Sequence, residues 1–387
     1  MNIKKQVYIF FICTILPFYS IAQFKIKGKI SNTEDQSPIP FATIQTDDHK
    51  TISNENGEFE ITVDALPVSI KISHTSFQGV QIEKKDDSQL VIILKPVLLT
   101  LKEVVVGNYA LTLMKNAGNK AKETYKESNY AKAFLRQIAY ESGKPTYLNE
   151  IYFNADWRNY GLIKWKPTQT RHLKDKGMIT YTNLGFFSLA LCGYLFNDVH
   201  VKPLINKLDS LYTFKLKGTY QLGDEEIAII SCVAKTKINK MYFEGNYFIN
   251  TATANVLKIE GIINNMKMTS SGPFNIKNVG VNIMAEYKIN NEGKNVLDFS
   301  TFNFKNKLTV LGVKAKESYF YSTLYMIDYK PIYNENLTDI NSKTNDITTT
   351  KEMAYDSNFW NENQTIKRTE KESEAIKILE SVKKVKH

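Results

Sequence analysis

Five histidines stand at 49, 74, 172, 200 and 387 of a 387-residue chain, and their surroundings decide whether zinc chemistry is on offer. A hydrolytic zinc site wants a His and a Glu close together on one segment, with a second His brought in from afar. None of His49, His74, His172, His200 or His387 has a Glu three or four residues beyond it, so that arrangement is missing. Ser188 and Cys192 lie in Phe186-Phe187-Ser188-Leu189-Ala190-Leu191-Cys192-Gly193, which is not a Gly-x-Ser-x-Gly elbow. Cys192 with His172 or His200 is the one thiol–imidazole pairing left, and a buried, inert thiol is the stronger reading. No Gly-rich phosphate loop occurs. Asp224-Glu225-Glu226 and Asp47-Asp48-His49 could attract a cation, but both read as exposed turns. The residues therefore predict no catalytic, metal or cofactor site.

What remains is binding chemistry. Tyr319, Tyr321, Tyr325 and Tyr329, spaced by two or four, read either as a stacking platform for sugar or as one wall of a β-core. Ile283, Phe302, Phe304 and Tyr325 are the candidate lining of an apolar groove. Cys192 and Cys232 leave two readings open: a bond closing a loop of about 40 residues, or two buried thiols.

The composition bounds the class. Hydrophobic residues are 43% and aromatics 12%, which suits a folded core, while only 3 cysteines exclude a disulfide framework. Lys4 and Lys5, the apolar run Val7 to Tyr19 and the small residues of Ser20-Ile21-Ala22 form a three-part export signal. Cleavage is expected between Ala22 and Gln23, making 1–22 a signal peptide. The run is shorter than the ~20 residues of a spanning helix, and Pro17 interrupts it. Phe11-Ile12 before Cys13 departs from the small residues of a lipoprotein signal. Removing Lys4 and Lys5 leaves 48 basic and 40 acidic residues, a net +8 spread along the chain, so nucleic acid is not an expected partner. No later segment offers 18 uninterrupted apolar residues, so no transmembrane span is expected after the signal is removed.

Residues 23–97 read as short strands between turns. Phe24, Ile26, Gly28 and Ile30 alternate with lysines; Phe59, Ile61 and Val63, then Val68, Ile70 and Ile72, repeat the period of two. Such spacing predicts a β-sandwich. The phrases Lys27-Gly28-Lys29-Ile30, Ser37-Pro38-Ile39-Pro40-Phe41-Ala42-Thr43-Ile44 and Thr51-Ile52-Ser53-Asn54-Glu55-Asn56-Gly57-Glu58-Phe59 together resemble the carboxypeptidase regulatory-like domain. That resemblance implies a transthyretin-like sandwich and a companion module without catalytic residues. Ser73-His74-Thr75-Ser76-Phe77-Gln78-Gly79 is similar to the family's next turn, with Phe77 where Tyr is usual.

Residues 98–130 then serve as a connector and helix. Leu111, Met114, Ala117, Ala121 and Tyr125 fall at helical spacing and predict an amphipathic helix over 109–128. From 131 to 333 the period returns to two, as in Tyr212, Phe214 and Leu216 or Val279, Val281, Ile283, Ala285 and Tyr287. Pro203 opens a short helix with Leu204, Leu208 and Leu211. The hairpin rhythm of Gly223 to Ile230, Phe243 to Asn250 and Asn255 to Glu260 resembles the outer-membrane lipoprotein-carrier fold. The resemblance implies a large curved antiparallel sheet with a helix across its concave face. Residues 334–368 read as a polar linker, and 369–387 as a helix opened by the capping box Thr369-Glu370-Lys371-Glu372.

The fold class expected is mainly β, α+β overall: a transthyretin-like sandwich, then a curved antiparallel sheet with packed helices. The function expected is a non-enzymatic envelope protein, in the periplasm or at the outer membrane, for binding, assembly or transport. An envelope protein, a lipid or a glycan is the expected partner. The alternatives are a surface module binding carbohydrate or peptide, and a hydrolase whose site no linear motif reveals.

Overall fold

Lysines at 25, 27 and 29 interleave with Ile26, Gly28 and Ile30, which makes β1 (Phe24–Asn32) a strand with one buried face. We describe the chain from a computed structural model covering residues 23–100, 108–179, 192–193, 208–235, 241–266, 274–310, 313–330, 336–340, 346–350 and 353–385. The chain divides into two units: residues up to Ser73 with 79–94, and 74–78 with everything from Lys95 on.

In the first unit β1 lies between β4 (Glu58–Val63), antiparallel, and β7 (Leu90–Leu94), parallel. A second sheet runs in the order β3 (Lys50–Ile52), β2 (Thr43–Gln45), β5 (Val68–His74), β6 (Phe77–Lys84). Ile26, Ile30, Phe59, Ile61 and Leu94 of one sheet and Ile44, Ile52, Ile70 and Ile72 of the other are buried. This is the expected sandwich. Its turn is built by side chains: Ser53 Oγ donates to the Ile39 carbonyl at 2.8 Å, and Asn54 Oδ1 accepts from the backbone N–H of Asn56 and Glu58 at 2.9 and 3.0 Å. Gly57 completes it at φ +71°, where an added Cβ would also strike the Ile30 carbonyl.

The second unit is one antiparallel sheet of eleven strands. Its strands are β8 (Asn129–Glu141), β9 (Lys144–Arg158), β10 (Gly161–Lys174), β11 (Tyr212–Leu222), β12 (Glu225–Ala234), β13 (Tyr242–Asn250), β14 (Val256–Asn264), β15 (Phe274–Ile289), β16 (Asn295–Val310), β17 (Val313–Lys330) and β18 (Thr338–Asp339). The order is β11-β12-β13-β14-β15-β16-β17-β8-β9-β10-β18. Strands β9 and β15 are four places apart, which in a flat sheet is about 19 Å. Yet the rings of Trp157 on β9 and Tyr287 on β15 are centred 6.3 Å apart. The sheet therefore curls on itself.

Helix α1 (Tyr109–Thr124) seats in the concavity, burying Ala110, Leu113, Met114, Ala117 and Ala121 in the core that the inner sheet face supplies. It ends four residues before the expected 128. The short α2 (Leu208–Leu211) keeps Leu208 buried and leaves Leu211 37% exposed. Pro203, Leu204, the segment 101–106, the proposed signal 1–22 and the end of the chain at 386–387 lie outside the described residues.

The stretch 334–368 departs from the linker expectation. Thr338 and Asp339 pair with Trp165 and Lys164, α3 (Asp346–Thr350) buries Asp346 and Thr350, and α4 (Ser357–Glu362) buries Trp360. Apolar contacts come from scattered residues, Ile340, Ile347, the pair Phe359-Trp360 and Ile366, so no hydrophobic period announces them. Helix α5 (Glu370–Val385) is opened by the capping box as expected: Thr369 Oγ1 accepts from the Glu372 N–H at 3.1 Å and Glu372 Oε2 from the Thr369 N–H at 2.8 Å. Its Ala375, Ile376 and Leu379 are buried, and the helix packs on β9 and β10.

Candidate functional site

Strand parity sorts the predicted groove residues. Ile283 pairs with Phe302, and Phe302 with Ser322, so these three share a face, as does Phe304 two residues on. Phe304 and Phe320 stack at 5.0 Å, and Phe302 meets Phe304 edge-on at 5.5 Å. Ile283, Phe302 and Phe304 are thus 5%, 2% and 1% exposed within a filled core rather than along an open groove. Tyr325 stands an odd number of residues from Ser322 and pairs with Phe134 and Phe299, on the opposite face. The tyrosine row breaks for a related reason. A register shift between Met326 and Asp328 turns Tyr329 into the core that Tyr325 faces away from, and Tyr321 and Tyr325 are buried.

Cys192 and Cys232 are both free thiols, buried in the core, with their pKa values pushed up by burial. Tyr287 closes the concavity over 192–193 by donating from its hydroxyl to the Gly193 carbonyl at 2.8 Å. His172 pairs across the strands with Asn149 and packs edge-on against Tyr147, while His49 lies 3.4 Å from Asp64 in the first unit. Burial pushes His74 down to about 3. Ser188 and His200 lie outside the described residues, and among those described no three His, Cys, Asp or Glu gather to hold a metal. Asp224 sits in the exposed β11–β12 turn, as expected for that acidic run.

Two ionic constellations went unseen in the sequence. On the outer face, Arg136, Glu150 and Arg171 stand side by side on β8, β9 and β10, all at most 3% exposed. Arg136 Nε donates to Glu150 Oε1 at 2.7 Å and Arg171 Nε to Glu150 Oε2 at 2.8 Å. Burial alone would raise the Glu150 pKa, but these two guanidiniums and that of Arg368, whose Nε lies 3.9 Å from Glu150 Oε1, outweigh it and bring it down to about 2. Glu372 and Glu380 of α5 reach Arg136 and Arg171 at 3.4 and 3.7 Å, so the network fastens the helix. Arg136, Glu150 and Arg171 are each ion-paired within the row, which marks it as structural. The second is Glu286, whose carboxyl burial pushes up to about 7 although Lys258 lies 3.7 Å away and pulls it down.

A cleft of about 320 Å³ opens where α1 ends. Its walls are the last turns of that helix (Ala117, Lys120, Ala121, Thr124), Glu127 and Asn129 entering β8, Trp157 and Asn159 at the β9–β10 turn, and the turns at 254–256 and 293–295. Asn159, 3% exposed, fixes the junction by donating from Nδ2 to the Ala121 carbonyl and to Thr124 Oγ1. The Ala121 carbonyl belongs to the last helical turn, which has no partner within the helix. Among the described residues the Oδ1 atom of Asn159, itself buried, has no hydrogen-bond partner. Asn129 and Asn295 are held by their amide nitrogens to the carbonyls of Trp157 at 3.4 Å and Val256 at 2.9 Å. The lining holds no His or Cys and one carboxylate, Glu127.

Residues 26–106 match the family model of the CarboxypepD_reg-like domain, as the phrases around Gly28, Pro40 and Gly57 imply. No curated protein matches the chain. Among solved structures, a LolA superfamily protein from Nitrosomonas europaea is 10% identical, with 57% of this chain and 94% of that chain covered at a TM-score of 0.23. A DUF1329 family protein from Desulfovibrio piger is 8% identical, with 63% and 98% covered at 0.26. Superpositions this loose leave the ligand of the second unit to its own geometry.

Proposed function

We propose that this chain is exported and serves as a non-catalytic binding protein of the bacterial envelope, with its ligand seated in the cleft at the end of α1. The observation that carries the reading is a concave wall drawn from five separate segments, in which Asn129, Asn159 and Asn295 are each held in place through Nδ2. The volume, about 320 Å³, falls within the range of roughly 300–1,000 Å³ usual for small-molecule sites. The filled core around Phe302 and Phe304 argues for a ligand at this cleft and against one held along that wall.

No described helix is long and apolar enough to cross a membrane. The export half of the proposal rests on the three-part pattern of residues 1–22 and on the module at 26–106. Intact mass of the exported protein should start at Gln23; a retained Met1–Ala22 overturns that half. For the binding half, the protein is purified under native conditions and what co-purifies is identified by mass spectrometry, beside the variant Asn255→Trp, which fills the cleft from its rim. A small molecule carried by the wild type and lost from the variant supports the reading. Equal cargo on both, or none on either, overturns it.

A further inference from the structure

The cleft's chemistry also points to a ligand class. Four of its side chains, Asn129, Asn159, Asn255 and Asn295, are primary amides. An amide presents a carbonyl acceptor and two N–H donors within one rigid plane. A hydroxyl likewise both donates and accepts, so rows of amides suit a polyhydroxylated ligand. A carboxylate or phosphate would want donors alone, and an ammonium acceptors alone.

The charges agree. The lining holds Glu127, Lys120 and Lys294, and Lys294 pairs with Glu292 at 3.1 Å. The balance is near neutral, with no cluster that would select an anion or a cation. Pre-organisation is present too, because Asn129, Asn159 and Asn295 are each anchored through Nδ2. Asn255 is half-buried, and its amide has no partner among the described residues.

A peptide is disfavoured by the backbone around the cleft. The two hairpin turns that form its rim spend their main-chain groups on themselves: the Asn250 N–H donates to the Asn255 carbonyl at 2.9 Å, and the Asn290 N–H to the Lys294 carbonyl at 2.8 Å. Little main chain is left to pair with an extended segment, the usual mode of peptide capture.

We infer that the cleft takes the neutral end of a glycan, one or two hexose rings, with the Asn255 amide bridging a hydroxyl pair. This inference rests on the proposed binding role of the same cleft. Titration calorimetry on the full exported chain tests it with neutral trisaccharides of glucose, mannose, galactose and N-acetylglucosamine, beside tetra-alanine and cis-parinaric acid. At least one sugar should bind saturably, and Asn255→Ala should weaken it about tenfold, the worth of one or two hydrogen bonds. The melting temperature should stay unchanged, because Asn255 gives up no native side-chain bond. Tetra-alanine or cis-parinaric acid binding in place of sugar, and weakened by Asn255→Ala, overturns the glycan assignment while the cleft stands as a binding site. Sugar binding that Asn255→Ala leaves untouched also overturns it. No saturable ligand in any arm, together with no cargo from the native envelope, overturns both readings.

Discussion

Phe59 lies where a Cβ on Gly28 would have to be. The two residues face each other across β1 and β4, and the edge of the phenyl ring occupies the space above the glycine. The Gly of the opening phrase and the Phe of the turn phrase are therefore one contact, thirty-one residues apart in sequence. Gly28→Ala should force the ring out of its rotamer and cost about 1–3 kcal/mol. Chemical denaturation read in the first unit should show the lower midpoint, and Phe59→Leu should recover part of it by vacating the edge. A neutral Gly28→Ala would mean the ring is not fixed there.

The Arg136–Glu150–Arg171 row should behave as a unit. Arg136→Met leaves Glu150 buried with Arg171 and the more distant Arg368 as its cations, and breaking a buried pair in this way costs about 3–5 kcal/mol. The carboxyl is held at about 2, below its ordinary 4.5. A depressed pKa in the fold stabilises above the unfolded value and loses that stability as pH falls toward the folded one. Unfolding free energy should therefore drop between about pH 4.5 and 2. Glu150→Gln should be less stable than wild type at pH 6 and approach it at pH 2.

Glu286 should show the opposite sign. Burial pushes its carboxyl up to about 7 in the fold, above its ordinary 4.5. A raised pKa stabilises the fold at low pH, and that contribution is lost as pH rises from about 4.5 through 7. Glu286→Gln mimics the protonated form and should flatten this window, gaining up to about 3 kcal/mol at pH 8 relative to wild type. Lys258 keeps Glu260 at 3.0 Å in the variant, so the substitution strands no cation. Melting temperatures at pH 5 and pH 8 decide it, and equal shifts at both would refute the titration.

The difference between what the sequence made legible and what it hid lies in how local each signal is. The sandwich was readable because alternation, the Ser53-Asn54 side-chain turn and the Gly57 conformation all act within a few residues. The Thr369–Glu372 capping box was readable for the same reason. A period of two, however, assumes an unbroken strand, so the shift between Met326 and Asp328 undid the tyrosine row. The cleft was beyond reach because Ala117, Asn129, Trp157, Asn255 and Asn295 meet only after the sheet has curled. Asparagines in turns carry no signal of their own, since turns favour them whatever they line. The arginine row needed the register of three strands.

The wall at Phe302 gives the sharpest test of what the concavity holds. Phe302 is 2% exposed and touches Phe304 and Phe320 at ring separations of 5.5 and 6.1 Å. Its neighbours across the strands are Ile283 and Ser322, so the ring is enclosed on its own face by side chains already in contact. Phe302→Ala removes a full ring from such a core, and large-to-small changes of that kind cost roughly 3–5 kcal/mol, the spread reflecting how far the surroundings collapse. The denaturant midpoint should fall with an unchanged slope, since the area exposed on unfolding barely alters. A groove would respond differently, because its lining contacts a ligand rather than itself. The variant would then lose little stability, and an environment-sensitive fatty-acid probe would bind the wild type saturably and the variant with a changed affinity. Loss of stability without probe uptake by the wild type places the packing energy in the aromatic wall and leaves the cleft at the end of α1 as the place to look for a ligand.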